Sequence, residues 1–148
     1  MNYIIHTDGG ARGNPGPSAV GVVVEACVCD ENNQCHESVR KEIAGFGKRI
    51  ADGTNNVAEY TAVIEALTFL AGYGDREKGR VVKFYLDSTL VVNQLNGVYK
   101  VKDSHLRDLL LRVRGLELEV GGDITYTAIP REQNRRADFF VNQALDAS

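Results

Sequence analysis

The chain has no tryptophan, a single methionine, three prolines and three cysteines among 148 residues, and it has no surplus of positive charge. No apolar run approaches the roughly 20 residues that cross a bilayer, so no segment reads as a transmembrane helix. The start, Met-Asn-Tyr-Ile-Ile-His-Thr-Asp, lacks the basic and apolar regions of a signal peptide, which gives a cytoplasmic expectation. Cys27, Cys29 and Cys35 are odd in number and crowded together, unlike the dispersed pairs of a secreted disulfide scaffold. A formal net charge of -3 supplies no bulk attraction for phosphate. Two stretches are locally basic: Lys100, Lys102, Arg107, Arg112 and Arg114 in one, and Arg131, Arg135 and Arg136 in the other. Each fits a solvated helix face as well as a phosphate contact. Repeats, linkers and low-complexity segments are also missing, and residues 1–148 read as a single domain with enough apolar content, 43%, for one core.

What is present has a clear order. Tyr3–Thr7 is a β-favouring run that ends in Asp8-Gly9-Gly10 and a loop dense in turn formers, Ala11-Arg12-Gly13-Asn14-Pro15-Gly16-Pro17. Ala19 to Cys29 and Cys35 to about Phe46 read as a long antiparallel hairpin whose return strand is charged, as suits a sheet edge. Thr54-Asn55-Asn56 offers caps to a helix with apolar residues near the 3.6-residue period. Val81–Leu86 is an apolar strand closed by Asp87-Ser88, and Ser88 can cap the short helix that follows. A helix from Ser104 to about Leu116, a strand Ile124–Ala128, a break at Pro130 and a helix from Asn134 complete the chain. Helices alternating with the later strands imply right-handed parallel crossovers. The fold class is therefore α/β, with a five-stranded mixed sheet, antiparallel at the hairpin and parallel beyond it, flanked by helices.

Four carboxylates stand out. Asp8 and Asp87 each follow a strand, and parallel neighbours would place both in the crevice at the strands' carboxyl ends. Glu59 and Asp138 each read as lying in the first turn of a helix, three residues after Asn56 and four after Asn134. Singly, such acids are ordinary turn or helix-dipole residues. Brought to one edge they repel unless a cation neutralises them, and the natural occupant is Mg²⁺, which binds a few carboxylates together with substrate phosphate.

The run Asp8 to Pro17, then Thr54-Asn55-Asn56-Val57-Ala58-Glu59-Tyr60, then Leu86-Asp87-Ser88 with Leu90, Val91 and Gln94, then Asn134 and Ala137-Asp138 closely resembles the ribonuclease H type 1 family, in the family's order and over nearly the whole chain. The resemblance implies a ribonuclease H-like fold and a monomeric endonuclease that cuts the RNA strand of an RNA–DNA hybrid. It implies that Asp8, Glu59, Asp87 and Asp138 hold two Mg²⁺ ions about 4 Å apart, with Mn²⁺ as a substitute, and that the products carry 5′-phosphate and 3′-hydroxyl ends. It further implies that Gly9, Gly10, Ala11, Arg12, Gly13, Asn14, Asn55 and Asn56 meet 2′-hydroxyls and base edges in the hybrid's minor groove, with Ser88 and Asn134 beside them. For Asn55 and Asn56, helix capping is an equal and compatible reading. Double-stranded RNA as a further substrate, and a non-catalytic hybrid- or duplex-binding module on the same fold, stay open.

The chain departs from the pattern in two places. Ile129-Pro130-Arg131-Glu132-Gln133-Asn134 has no histidine where many bacterial members carry one, and Arg131 is the candidate substitute, as in the histidine-less, archaeal-like branch. Without tryptophan, the tryptophan-rich basic protrusion that some members use to grip DNA is absent as well. Cys27, Cys29, Cys35 and His36 invite a zinc or disulfide reading, but their spacing differs from the usual zinc knuckle and unligated cysteines are the expectation.

Overall fold

A computed structural model describes residues 2–27, 40–74 and 80–147. Strands β1 (Asn2–Ala11), β2 (Gly16–Cys27) and β3 (Arg40–Gly53) are followed by helix α1 (Asn55–Ala71), β4 (Val81–Leu86), α2 (Thr89–Leu95), α3 (Ser104–Val120) and β5 (Asp123–Ala128). A single 3₁₀ turn, Arg131–Gln133, then leads into α4 (Arg135–Asp146). The five strands form one sheet in the order β3-β2-β1-β4-β5. β2 pairs antiparallel with β1 and β3, whereas β4 runs parallel to β1 and to β5.

Alternation along β1 decides what faces where. Tyr3 and Ile5 join Val22, Val24, Val82, Phe84 and Leu86 under α1, where Tyr60, Val63, Leu67 and Leu70 close the main core. Ile4, His6 and Asp8 point to the opposite face, on which α4 packs Val141 and Leu145 against Ala19. Two glycines allow that second layer. A Cβ at Gly21 would lie 2.1 Å from the Ala137 carbonyl oxygen, and one at Gly47 would lie 2.2 Å from that of Phe140. With Cβ atoms there, α4 would be pushed off the sheet.

The sequence expectation ended the third strand near Phe46, but β3 continues to Gly53. Gly45 and Gly47 depress local strand propensity, and pairing with β2 overrides it. Similarly, α3 runs past Leu116 to Val120, which is buried, and stops at Gly121 and Gly122, both at positive φ. Residues 35–39 of the expected third strand lie outside the described residues. Cys27 is disulfide-bonded, which corrects the expectation of unligated cysteines at that position; Cys29, Cys35 and His36 lie outside the described residues.

One buried cation ties helix ends together. Arg80 is 3% exposed, and its guanidinium donates to the carbonyls of Leu70, Tyr73 and Val120 while lying 5.2 Å from the Tyr3 ring centre. It thus satisfies carbonyls left over at the C-terminal ends of α1 and α3, where a positive charge also meets the favourable end of the helix dipole. Arg80→Met should cost about 2–3 kcal/mol because the carbonyls stay buried without donors. A urea midpoint that falls with unchanged m-value would show it; an unmoved midpoint would remove Arg80 from the stabilising set.

Candidate active site

The parallel register sets the first two acids side by side. His6 is the partner of Tyr85, so two residues further on Asp8 and Asp87 leave the sheet at the same height and on the same face. Glu59 arrives from α1 because Gly9 lets the helix touch the strand: a Cβ on Gly9 would fall 2.2 Å from the Ala58 carbonyl carbon and 2.5 Å from the Glu59 nitrogen. Glu59 falls in the second helical turn and not in the expected first, since Thr54 is the cap and Asn55 the first helical residue. Asp138 comes from the first turn of α4.

Carboxylate oxygens of Asp8, Glu59 and Asp87 lie within 4.8 Å of one another. The Asp8 carboxyl faces those of Glu59 and Asp138, with the Gly9 backbone beside Asp8 and Glu59. Asp8 and Glu59 are each 6% exposed. Burial, with repulsion from Asp87 and Asp138, pushes the Asp8 carboxyl up to about 8. The Glu59 carboxyl is likewise raised well above the usual range, by burial and then by Asp8 and Asp87. One Glu59 oxygen, Oε2, is buried without a hydrogen-bond partner. Crowded, buried, oxygen-only donors with an orphaned acceptor suit a hard divalent cation, which removes the repulsion and satisfies the acceptor.

These acids floor a cleft of about 330 Å³ whose walls include Gly9, Gly10, Ala11, Arg12, Asn55, Arg131 and Asn142. Thr54, not Asn55 or Asn56, caps α1 by accepting from the Val57 N–H. Asn55 is therefore available to hold the glycine-rich loop. Its Oδ1 accepts from the Ala11 N–H at 2.8 Å, and its own N–H donates to Asn14 Oδ1 at 3.0 Å. Gly13 sits at φ 89°, the left-handed conformation the loop needs. Asn14, Asn55 and Asn56 also line a neighbouring groove with Thr54 and His105. Ser88 caps α2 through the Val91 N–H.

Asn134 is 1% exposed, so its place is behind the acids. It precedes α4 without capping it; its amide donates to the Thr7 carbonyl at 2.9 Å and to Asp87 Oδ2 at 3.5 Å. Arg131 is 79% exposed in its side chain and reaches Asp138 at 3.7 Å. Two contacts escaped the sequence reading. Asn142 donates to Asp138 Oδ2 at 3.3 Å, a pairing that the four-residue helical spacing could have signalled. Arg12, on the cleft wall, pairs with Asp146 of α4 at 2.6 Å, and nothing local in the sequence announces it.

The reverse transcriptase-like family matches residues 6–144. The crystal structure of RNase H1 from Halobacterium salinarum superposes with a TM-score of 0.82 at 35% identity, covering all of both chains. The chain belongs to the ribonuclease H type 1 family. A second RNase H1, LC11, solved in complex with RNA/DNA hybrid, matches with a TM-score of 0.83 at 40% identity, over 98% of this chain and 97% of that one. Among curated relatives, Ribonuclease HI of Halobacterium salinarum is 38% identical over 94% of this chain and 62% of its own length. The Bifunctional protein Rv2228c of Mycobacterium tuberculosis is 36% identical over all of this chain but only 36% of its own length. The chain thus spans between a third and two thirds of the length of these two curated relatives.

Proposed function

We propose that the chain is an endoribonuclease that hydrolyses the RNA strand of RNA–DNA hybrids. The observation that carries the reading is the convergence of Asp8, Glu59, Asp87 and Asp138 on one solvent-open cleft. A pure binding module would gain nothing from buried like charges at a surface that faces phosphate. Hydrolysis adds water to the scissile phosphorus and breaks the bond to the 3′ oxygen, leaving a 3′-hydroxyl and a 5′-phosphate. The four acids would hold two Mg²⁺ ions, or Mn²⁺ in their place, which supply an acidified water and charge stabilisation at the leaving oxygen.

The remaining residues have roles the geometry supports. The Gly9–Asn14 loop, fixed by Asn55, presents backbone groups to the RNA strand's 2′-hydroxyls, with Asn14 and Asn56 beside the minor groove. Ser88 and Asn134 act as supports, the first shaping the turn after Asp87 and the second holding Asp87 against β1. Of the basic stretch 100–114, Arg114 is tied to Glu117 and to the Leu95 carbonyl, which leaves exposed Lys100, Lys102, Arg107 and Arg112 as the side chains free to meet phosphate. One copy contains every acid, so a single chain is the catalytic unit. Among the described residues no helix is long and apolar enough to cross a membrane, and the cytoplasm is the compartment we assign.

End-labelled RNA–DNA hybrid, single-stranded RNA, double-stranded RNA and DNA duplex, each incubated with Mg²⁺, Mn²⁺ or EDTA, test the reading. Metal-dependent cutting of the hybrid's RNA strand is the expected result, and cutting of double-stranded RNA would widen the substrate. No cleavage with any metal would leave a binding module. Arg131 stands where its cation can meet a phosphate beside Asp138. Arg131→Ala should therefore lower kcat about tenfold to a hundredfold and alter KM less; an unchanged kcat would exclude that role.

A further inference from the structure

The four acids are not held alike. Oxygens of Asp8, Glu59 and Asp87 form a group in which each lies within 4.8 Å of the others, and Asp138 stands outside that trio. Asp8 and Glu59 are buried, whereas the Asp138 side chain is 32% exposed on the wall of the same cleft. A partly exposed carboxylate turns between rotamers unless something holds it, and a loosely held ligand weakens a metal site. Two side chains reach Asp138. Arg131 comes within 3.7 Å of Oδ1 from a largely exposed position. Asn142, one turn further along α4, donates to Oδ2 at 3.3 Å.

Asn142 is the better placed of the two. Its Nδ2 also donates to the Asp138 backbone carbonyl at 3.1 Å, so the amide is tethered to the helix while it touches the carboxylate. The helix is fixed in turn, because the neighbouring Val141 is buried with Leu145 and Ala19. The chemistry also suits the place. An amide is neutral and offers N–H donors, so it holds a carboxylate without cancelling the negative charge that a cation needs. A carboxylate has about four lone-pair sites, and one amide leaves the others free. Asn142 lines the catalytic cleft, yet α4 itself does not need it, since alanine is the better helix former at an exposed position.

We propose that Asn142 is a positioning residue for Asp138: it holds the fourth carboxylate in place at the edge of the trio and so sets how tightly the site takes a divalent cation. The inference rests on the reading that the four acids bind metal. Asn142 acts on the ion only through Asp138. Without it, Asp138 is left with the more distant Arg131, a cation that competes with the metal ion for the same carboxylate.

Titration of the full chain with Mn²⁺ in the absence of nucleic acid, with the free ion read by electron paramagnetic resonance, tests the proposal. Asn142→Ala should weaken Mn²⁺ binding about tenfold, as loss of a contact behind a metal ligand does. Asn142→Gln keeps an amide that reaches one helical turn back and should recover most of that loss. Asp138→Asn should weaken binding by itself, and Asn142→Ala on that background should cost nothing further, because the carboxylate it positions is gone. In hybrid cleavage by Asn142→Ala, the Mg²⁺ concentration for half-maximal rate should rise by a similar factor, and excess Mg²⁺ should bring the rate back toward wild type. The urea midpoint of the metal-free variant should not fall, as it would if Asn142 served the fold alone. Mn²⁺ affinity equal to wild type in Asn142→Ala, no recovery in Asn142→Gln, an additive loss in the double variant, or a rate defect that excess Mg²⁺ leaves in place would overturn the proposal. A wild-type chain that binds no Mn²⁺ and cleaves no hybrid would overturn it together with the metal-site reading.

Discussion

Asp8→Asn should abolish hybrid cleavage, by at least about a thousandfold in kcat/KM, and at the same time make the metal-free protein more stable at pH 8. Activity should fall because a carboxylate oxygen of the proposed metal site becomes a neutral amide. Stability rises because Asp8 sits among three other acids, and its carboxyl is pushed up to about 8 from an ordinary 3.8. The folded chain thus keeps a proton that the unfolded chain has released, so unfolding gives up a proton between about pH 4 and pH 8. The stability associated with this group is fully present below about pH 4, and it declines as pH rises until the folded state also ionises near 8. Asparagine does not titrate, so the variant lacks this part of the decline. At pH 8 it should exceed the metal-free wild type by roughly 1–3 kcal/mol, since Glu59, Asp87 and Asp138 continue to repel one another. Adding Mg²⁺ should raise the wild type's midpoint and barely move the variant's, because an ion that binds only the folded state stabilises by mass action. Chemical denaturation at pH 5 and pH 8, with and without Mg²⁺, reads all of this. A variant that is less stable than metal-free wild type at pH 8, or one that retains full activity, would refute the account.

Gly9→Ala is the second large effect, and it acts through backbone alone. The new methyl would lie 2.2 to 2.5 Å from the carbonyl carbon and oxygen of Ala58 and the nitrogen of Glu59, none of which can rotate away. Either the start of α1 shifts or the end of β1 does. We expect a loss of about 3 kcal/mol from overpacking. In any population that still folds, turnover should drop at least about a hundredfold, because Glu59 moves relative to Asp8 and an ångström of misplacement costs that much. Gly10→Ala is the matched control: its methyl would come no closer than 3.5 Å, to Val141 Cγ1, so near-normal stability is expected. Thermal unfolding and single-turnover cleavage separate the two variants. A Gly9→Ala protein with wild-type midpoint and rate would show that helix and strand do not need this contact.

Much of this was legible before any coordinates, because its signals are local. Asp8 and Asp87 announce themselves as acids closing apolar strands, and the loop from Gly9 to Pro17 carries its own turn chemistry. The hairpin, the parallel strands beyond it and the helix that carries Glu59 follow from hydrophobic period and caps. The boundaries went wrong where tertiary pairing overrides propensity: Gly45 and Gly47 remain in β3 because β2 binds them and α4 needs their missing side chains. Capping of α1 fell to Thr54, which released Asn55 for Ala11, a partner 44 residues away.

The sequence by itself determined the elements and their order, which rest on interactions within a few residues, and it singled out the four acids through their resemblance to a family pattern. Only the tertiary structure decided that Asn134 is buried as a support, that Arg114 is pinned while Lys100 and Lys102 are exposed, that Arg12 pairs with Asp146 of α4, and that Gly9 brings Glu59 against Asp8. Those facts depend on close approach between segments 19 to 134 residues apart, where packing and desolvation set both distance and charge.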